Sequence, residues 1–267
     1  METRRIPSFG LLYYWLIVIV LFLPIFLLIL FSFNDSTRLV FPLRGFTLQW
    51  YGQLSKNPEL IRAVRTSILL ALGSSFIATV LGTMGALVVV RYEFPGRNVF
   101  VAVAALPLVI PYIILGVSLL IMLHSLGVRL SAWTAGLAHV VISLPYAMLV
   151  VIARLVGFPQ NLEEAAMDLG ATYWGALWRV TLPIIFPALT AAFLICFTIS
   201  FDEFAIASFL VGTQPTLPVY LYSQLRFPTR LPLVVSMAAI LMSASMAIVL
   251  FSEWLRRVGQ TPQPKKK

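Results

Sequence analysis

Charge is scarce in this chain. Only 11% of its 267 residues are Asp, Glu, Lys or Arg, against 60% apolar, and the mean hydropathy is +0.95. Soluble domains carry about a quarter charged residues, so a soluble globular protein is excluded. Cysteine is nearly absent: Cys196 stands alone inside an apolar run, which removes any disulfide framework and any paired-cysteine metal site. The two histidines, His124 and His139, are isolated and no His-Glu-x-x-His pattern occurs. No metal ligands are therefore assigned, and both histidines are read as structural. Catalytic residues are also none, because the serines in the apolar runs lack a matching base signature. There is no Gly-x-x-x-x-Gly-Lys-Ser/Thr loop, so the chain has no phosphate cradle of its own. Period-2 alternation is missing too, which argues against a β-barrel.

What the chain does have is six long apolar runs: Leu11 to Phe31, Ser67 to Val90, Val99 to Leu123, Trp133 to Ala153, Ile184 to Ile206 and Leu233 to Trp254. A hydrocarbon core about 30 Å thick needs about 20 such residues per helix. The expected fold is an all-α membrane protein with six transmembrane helices in a single domain, residues 1–267. The first run follows Arg4-Arg5, and no small-residue cleavage pattern follows it at Ser32-Phe33-Asn34, so it reads as an uncleaved signal anchor. With the N-terminus inside, eleven Lys and Arg fall on cytoplasmic segments and eight outside, which orients the chain N-in/C-in. The net charge of +9 then serves as anchoring to anionic lipid, and the Lys265 to Lys267 tail is not read as a nucleic-acid site. Pro262 and Pro264 leave that tail extended.

Pro24, Pro107, Pro111, Pro145 and Pro187 sit at membrane depth and tend to kink their helices. Ala78, Gly82 and Ala86 recur every fourth residue, so the second helix lets another backbone approach closely, within the bundle or at a subunit interface. Outside, Phe46-Thr47-Leu48-Gln49-Trp50-Tyr51 reads as an interfacial aromatic patch.

The segment 155–183 is the longest run dense in polar groups on the cytoplasmic side. Asn161 offers an N-cap, Glu163 and Glu164 suit the first turn, and Gly170 supplies the left-handed residue that ends the helix. Trp174 to Val180 can form a second short helix. Ala165, Ala166 and Leu169 give one side that fits a partner's groove; an amphipathic interfacial loop is the equally open alternative.

These residues also resemble a known family. Glu164-Ala165-Ala166, three residues, Gly170, nine residues, Val180, one residue, then Leu182-Pro183 is similar to the signature loop of inner-membrane permease subunits of binding-protein-dependent ABC importers. Ser32-Phe33-Asn34, Arg91-Tyr92, Pro95-Gly96-Arg97, Ser200-Phe201-Asp202-Glu203, Ala207-Ser208-Phe209, Leu217-Pro218 and Tyr222-Ser223 look like the spermidine/putrescine permeases, specifically the second of their two permease subunits. The resemblance implies a type I importer permease (MetI-like) fold. It assigns ATPase coupling to Glu164, Ala165, Ala166, Asp168, Leu169 and Gly170. It implies a bacterial inner-membrane location and three protein partners: an ABC ATPase dimer that binds ATP and Mg, a second homologous permease, and a periplasmic substrate-binding protein. This chain would bind no cofactor. Two departures stand out: Pro111 is followed by Tyr112 where an Asp is common in the family, and Leu233-Val234-Val235 replaces an acidic, Asn-containing start. Related systems take opines, aminophosphonates or ferric iron, so those cargoes stay open beside polyamine.

Asp202-Glu203 is the independent clue to cargo. At about 1.5 Å per residue from Ile184, Asp202 lies about 27 Å along its helix, near the outer boundary. Intramembrane acids are functional candidates by default, and a cation would compensate them. Tyr112, Tyr146, Phe201 and Phe204 could add aromatic faces to such a path. The plain alternative pairs the acids with Arg226 or Arg230. The functions left standing are an ATP-driven permease, an ATP-independent channel or membrane enzyme, and a structural or sensory subunit.

Overall fold

The computed structural model describes residues 8–159 and 161–258; Arg4, Arg5, Gln160, Pro262, Pro264 and Lys265 to Lys267 lie outside them. Lipid offers no partner for backbone N–H and C=O groups, so apolar runs of this length satisfy themselves as helices. In chain order these are α1 (Ser8–Ser32), α2 (Gln49–Leu54), α3 (Pro58–Arg91), α4 (Arg97–Ala105), α5 (Tyr112–Ser125), α6 (Ala132–Val156), α7 (Asn161–Asp168), α8 (Tyr173–Ala176), α9 (Leu182–Asp202), α10 (Ala205–Leu210), α11 (Leu217–Gln224) and α12 (Leu231–Val258). Among the described residues there is no strand, only an isolated bridge between Asn34 and Phe46. Among the described residues five helices are long and apolar enough to cross a membrane, or six if one bent pair counts as a single span.

Two of the six runs are not single rods. The third breaks into Arg97–Leu108 and Tyr112–Ser125, which meet at 99°. Pro107 lies in a 3-10 turn, and Pro111 is extended (φ −57, ψ 129) just ahead of α5. A proline there withholds a backbone donor and pushes the preceding residue out of the helical region. Pro24, Pro145 and Pro187 lie inside α1, α6 and α9, so of these five prolines only Pro107 and Pro111 sit at a break. The fifth run stops at Asp202, Glu203 is extended (φ −70, ψ 125), and α10 begins at Ala205. The expected helix through Ile206 is therefore two pieces.

The chain divides into two compact units. The smaller holds the segment up to Pro58 together with Leu221–Ala244. Asn34, 1% exposed, organises the loop after α1. Its Oδ1 accepts from Arg44 N at 3.2 Å, and its carbonyl accepts from Trp50 Nε1 at 2.9 Å. Ser32 Oγ and Tyr51 Oη share a hydrogen bond at 2.6 Å, and Ser236 Oγ donates to the Ser32 carbonyl at 3.1 Å. The aromatic segment expected to be interfacial is therefore split: Trp50 is buried, whereas Phe46 and Leu48 remain exposed. The indole is drawn in because its N–H has a carbonyl to meet.

The larger unit, Glu59–Tyr220 with the chain from Ser245, is built on α3, α6 and α9. One cluster packs Ala78, Ala86, Val89, Ala147, Val151 and Ile185. A second, around Leu70, Ala138, Ile142, Ile206 and Leu210, receives α5 through Leu115 and Leu119. The small-residue stripe of α3 works inside the chain: Ala78 and Ala86 are wholly buried, and a Cβ at Gly82 would lie 2.7 Å from Ala147 Cβ and 2.9 Å from Met148 N. Only glycine lets α3 and α6 approach so closely.

Candidate functional site

The loop between the fourth and fifth spans is anchored by Glu163, the acid immediately before the Glu-Ala-Ala triplet. Glu163 Oε1 accepts Arg91 Nη2 at 2.8 Å, and the side chains are only 9% and 15% exposed for Arg91 and Glu163 respectively. The same oxygen accepts the hydroxyl of Thr181, which is fully buried. The Arg91 guanidinium also lies over the Phe158 ring, 5.3 Å from its centroid. Beside it Tyr92 Oη donates to Tyr173 Oη at 3.2 Å. One carboxylate thus ties α7 to the end of α3 and to the base of α9.

The signature residues point the other way. Glu164, Ala165, Asp168 and Gly170 are exposed, Leu169 is 91% exposed, and Ala166 is half-buried. Asn161, expected as the N-cap, is the first residue of α7. Gly170 has φ +90; its N–H bonds the Met167 carbonyl at 2.9 Å, and Ala171 N reaches back to the Ala166 carbonyl at 3.0 Å. This pair of bonds is the Schellman termination. Thr172 then caps the next helix, its Oγ1 accepting from Gly175 N. The expected separate helix over Trp174 to Val180 is instead α8 plus a π-type turn, Leu177–Thr181, running directly into α9. Residues Tyr173–Asp202 form one continuous helical element long and apolar enough to cross a membrane, so a displacement at Tyr173 passes into the fifth span without a break.

At the far end of that element, the structure separates the two neighbouring acids. Asp202 is exposed and accepts from Ser245 Oγ at 3.2 Å. Glu203 is 5% exposed; its oxygens accept Ile206 N and Ala207 N, both at 2.8 Å, and Oε2 lies 3.3 Å from His139 Nε2. His139 Nδ1 is 2.7 Å from Ser200 Oγ, which is 2.8 Å from Ser74 Oγ. His139 and Ser245 thus hold the acids in place of the expected arginines, while Arg230 donates to Gln224 and stacks over Phe227. Tyr112 and Tyr146 adjoin each other beside Glu203. Phe201 stacks on Phe197 at 5.5 Å, and Phe204 opens α10. The six residues expected along the path thus lie around the break in the fifth span, with Tyr112, Tyr146, Phe201 and Phe204 half-buried. Glu163, Thr181, His139, Ser200 and Ser74 were missed as functional positions. The available signal was that a histidine and an acid in separate apolar runs must find partners inside the fold.

Helices long and apolar enough to cross a membrane several times, with a polar elbow anchored between two of them, define a multi-pass membrane protein, and similarity to known proteins gives its family. Residues 78–258 match the binding-protein-dependent transport system inner membrane component, and the chain belongs to that family. It is 34% identical over 238 residues to the spermidine/putrescine transport system permease protein PotC of Escherichia coli strain K12, covering 89% of each chain. It is 36% identical over 254 residues to the putrescine transport system permease protein PotI of the same strain, covering 90% of this chain and 89% of that one. In fold it is similar to a chain of the crystal structure of a bacterial ABC transporter involved in the import of the acidic polysaccharide alginate. There the TM-score is 0.69 at 19% identity, covering 93% of this chain and 95% of that chain. The protein is a non-catalytic permease subunit of an ABC importer.

Proposed function

We propose that this chain is one of two permease subunits of an importer for small cationic solutes, most specifically polyamines such as spermidine and putrescine. A periplasmic binding protein would deliver the cargo, and a separate ATPase dimer, holding ATP and Mg, would drive passage into the cytoplasm. The chain would lie N-in/C-in in a bacterial inner membrane as one permease domain, with 155–183 as its coupling loop, and bind no cofactor. The observation that carries this reading is the likeness to PotC and PotI over about nine-tenths of the chain. The exposed Asp202, in a half-buried aromatic setting, supports it, since carboxylate and π-face both favour an ammonium group.

Closure of the ATPase dimer would press on the exposed face of α7. Glu163 would pass that motion to α3 through Arg91 and to α9 through Thr181, so two spans would move as one body between two packings. The same machine with an opine, aminophosphonate or ferric iron cargo is the second reading, favoured by Tyr112 where the polyamine pattern has an acid. The test is uptake by the whole complex in proteoliposomes, offered radiolabelled putrescine, spermidine, an opine, an aminophosphonate and ferric iron in turn. ATP-dependent accumulation of a polyamine alone is expected. Accumulation only of another cargo overturns the polyamine reading, and flux without the ATPase overturns the importer mechanism.

A further inference from the structure

The two acids at the break in the fifth span do different jobs. Glu203 has both carboxylate oxygens committed inside the protein: each accepts a backbone N–H from the first turn of α10, and the side chain as a whole is 2% exposed. Behind it stands His139, wholly buried, with Ser200 on its other nitrogen and Ser74 beyond. These four side chains come from α3, α6, the end of α9 and the break itself. A row of polar groups buried at membrane depth is costly unless each finds a partner; Ser74, Ser200 and Glu203 are hydrogen-bonded, while His139 Nε2 makes no hydrogen bond and has Glu203 Oε2 at 3.3 Å as its polar neighbour. Asp202, one residue earlier, is exposed and held only by a serine hydroxyl.

We propose that His139 and Glu203 are positioning residues that pin α10 to the α3–α6–α9 core, leaving Asp202 as the only acid of the pair that meets cargo. The break makes this necessary. A helix that ends at Asp202 and restarts at Ala205 leaves the first N–H groups of α10 without carbonyl partners. Glu203 supplies them with acceptors, and its charge suits a helix start. The carboxylate would be mobile without a second tether, and His139 provides one from the neighbouring span. Because α10 also packs on α5, beyond the bend of the third span, the contact holds together the two discontinuous spans. Opening the outer end of the path requires one of these pieces to move, so the His139–Glu203 contact sets how readily the resting transporter opens.

The inference rests on the importer reading above, and its main readout, ATP hydrolysis without binding protein, does not depend on which cargo is carried. The complex would be reconstituted with its ATPase and partner permease, and resting hydrolysis measured beside the KM for putrescine uptake. His139→Leu and Glu203→Gln should each raise resting hydrolysis by about fivefold, the size of one lost polar contact. Both should leave the KM for putrescine within about twofold of wild type, since cargo contacts are untouched. Asp202→Asn should raise the KM for putrescine well beyond that twofold range. His139→Gln, whose amide N–H can still reach Glu203, should restore low resting hydrolysis, which a merely space-filling role would not require. A raised KM with unchanged resting hydrolysis in Glu203→Gln would make that acid a cargo ligand and overturn the proposal. Wild-type behaviour of both His139→Leu and Glu203→Gln would reduce the contact to packing and overturn it equally. Should His139→Leu fail to assemble, Glu203→Gln, which keeps the native shape, carries both readouts. Absence of putrescine uptake by the wild-type complex would sink the polyamine reading while the hydrolysis readout still decided the positioning one.

Discussion

Glu163 and Glu164 are chemically alike and adjacent, yet one faces the fold and the other faces solvent. Glu163 receives a guanidinium and a buried hydroxyl, while Glu164 is exposed beside Ala165. Removing one partner of a buried ion pair costs about 3–5 kcal/mol because the other charge is stranded. Arg91→Glu should therefore lower the thermal stability of the assembled complex and uncouple hydrolysis from uptake. Adding Glu163→Arg should recover part of both, judged by uptake per ATP hydrolysed. Recovery should be incomplete, since the swap loses the guanidinium stack on Phe158 and the Thr181 hydrogen bond. No recovery at all would mean that Arg91 and Glu163 act separately. Glycines offer a second residue-level contrast. A valine at Gly82 would press into Ala147 and the Met148 backbone, an overpacking worth about 1–3 kcal/mol. Gly73 has open space around it, so Gly73→Ala should be neutral or stabilising by up to about 1 kcal/mol. Thermal unfolding of the purified variants in detergent separates the two outcomes, and equal behaviour would refute close packing at Gly82.

At the scale of elements, the Gly170 turn is where strain and docking can be told apart. Nothing lies within 4 Å of a Cβ built there, so this chain has room for a side chain, and only the positive φ resists one. Gly170→Asn keeps the left-handed conformation accessible, whereas Gly170→Val does not. If the turn's shape alone matters, Asn should transport normally and Val should not. If an ATPase packs against the turn, both should fail while still inserting into the membrane; uptake assays on the two variants decide. The signature spacing made this loop legible in the sequence because cap, helix former and terminator follow simple local rules. The membrane runs were legible for the same reason, hydropathy being a local sum. Hydropathy does not sense direction, however. The runs Val99 to Leu123 and Ile184 to Ile206 are each apolar enough for one rod, and nothing in that sum reveals a 99° bend or a helix that restarts at Ala205. Pairing was harder still: Arg91 with Glu163 and His139 with Glu203 lie 72 and 64 positions apart (163 − 91 and 203 − 139), and only the packing of separate helices joins them.

For the molecule as a whole, placement in the bilayer follows from where its crossings leave the exposed loops. Only 6% of the apolar window in α1 is buried within the chain, so lipid or another permease must cover that helix. Six crossings with the N-terminus inside put Leu169, 91% exposed, in the cytoplasm and Leu126, 69% exposed, on the outer side. The chain is well suited to testing this, because its one cysteine, Cys196, is wholly buried and should stay silent to a membrane-impermeant maleimide. Leu126→Cys should label in intact spheroplasts, and Leu169→Cys only after the membrane is opened. The reverse pattern would invert the topology and move the coupling loop away from any cytoplasmic motor. Co-expressing the ATPase should then shield Leu169→Cys from label in opened membranes while leaving Leu126→Cys as reactive as before. Equal labelling of Leu169→Cys with and without the ATPase would show that α7 is not its docking site, whatever the family resemblance implies.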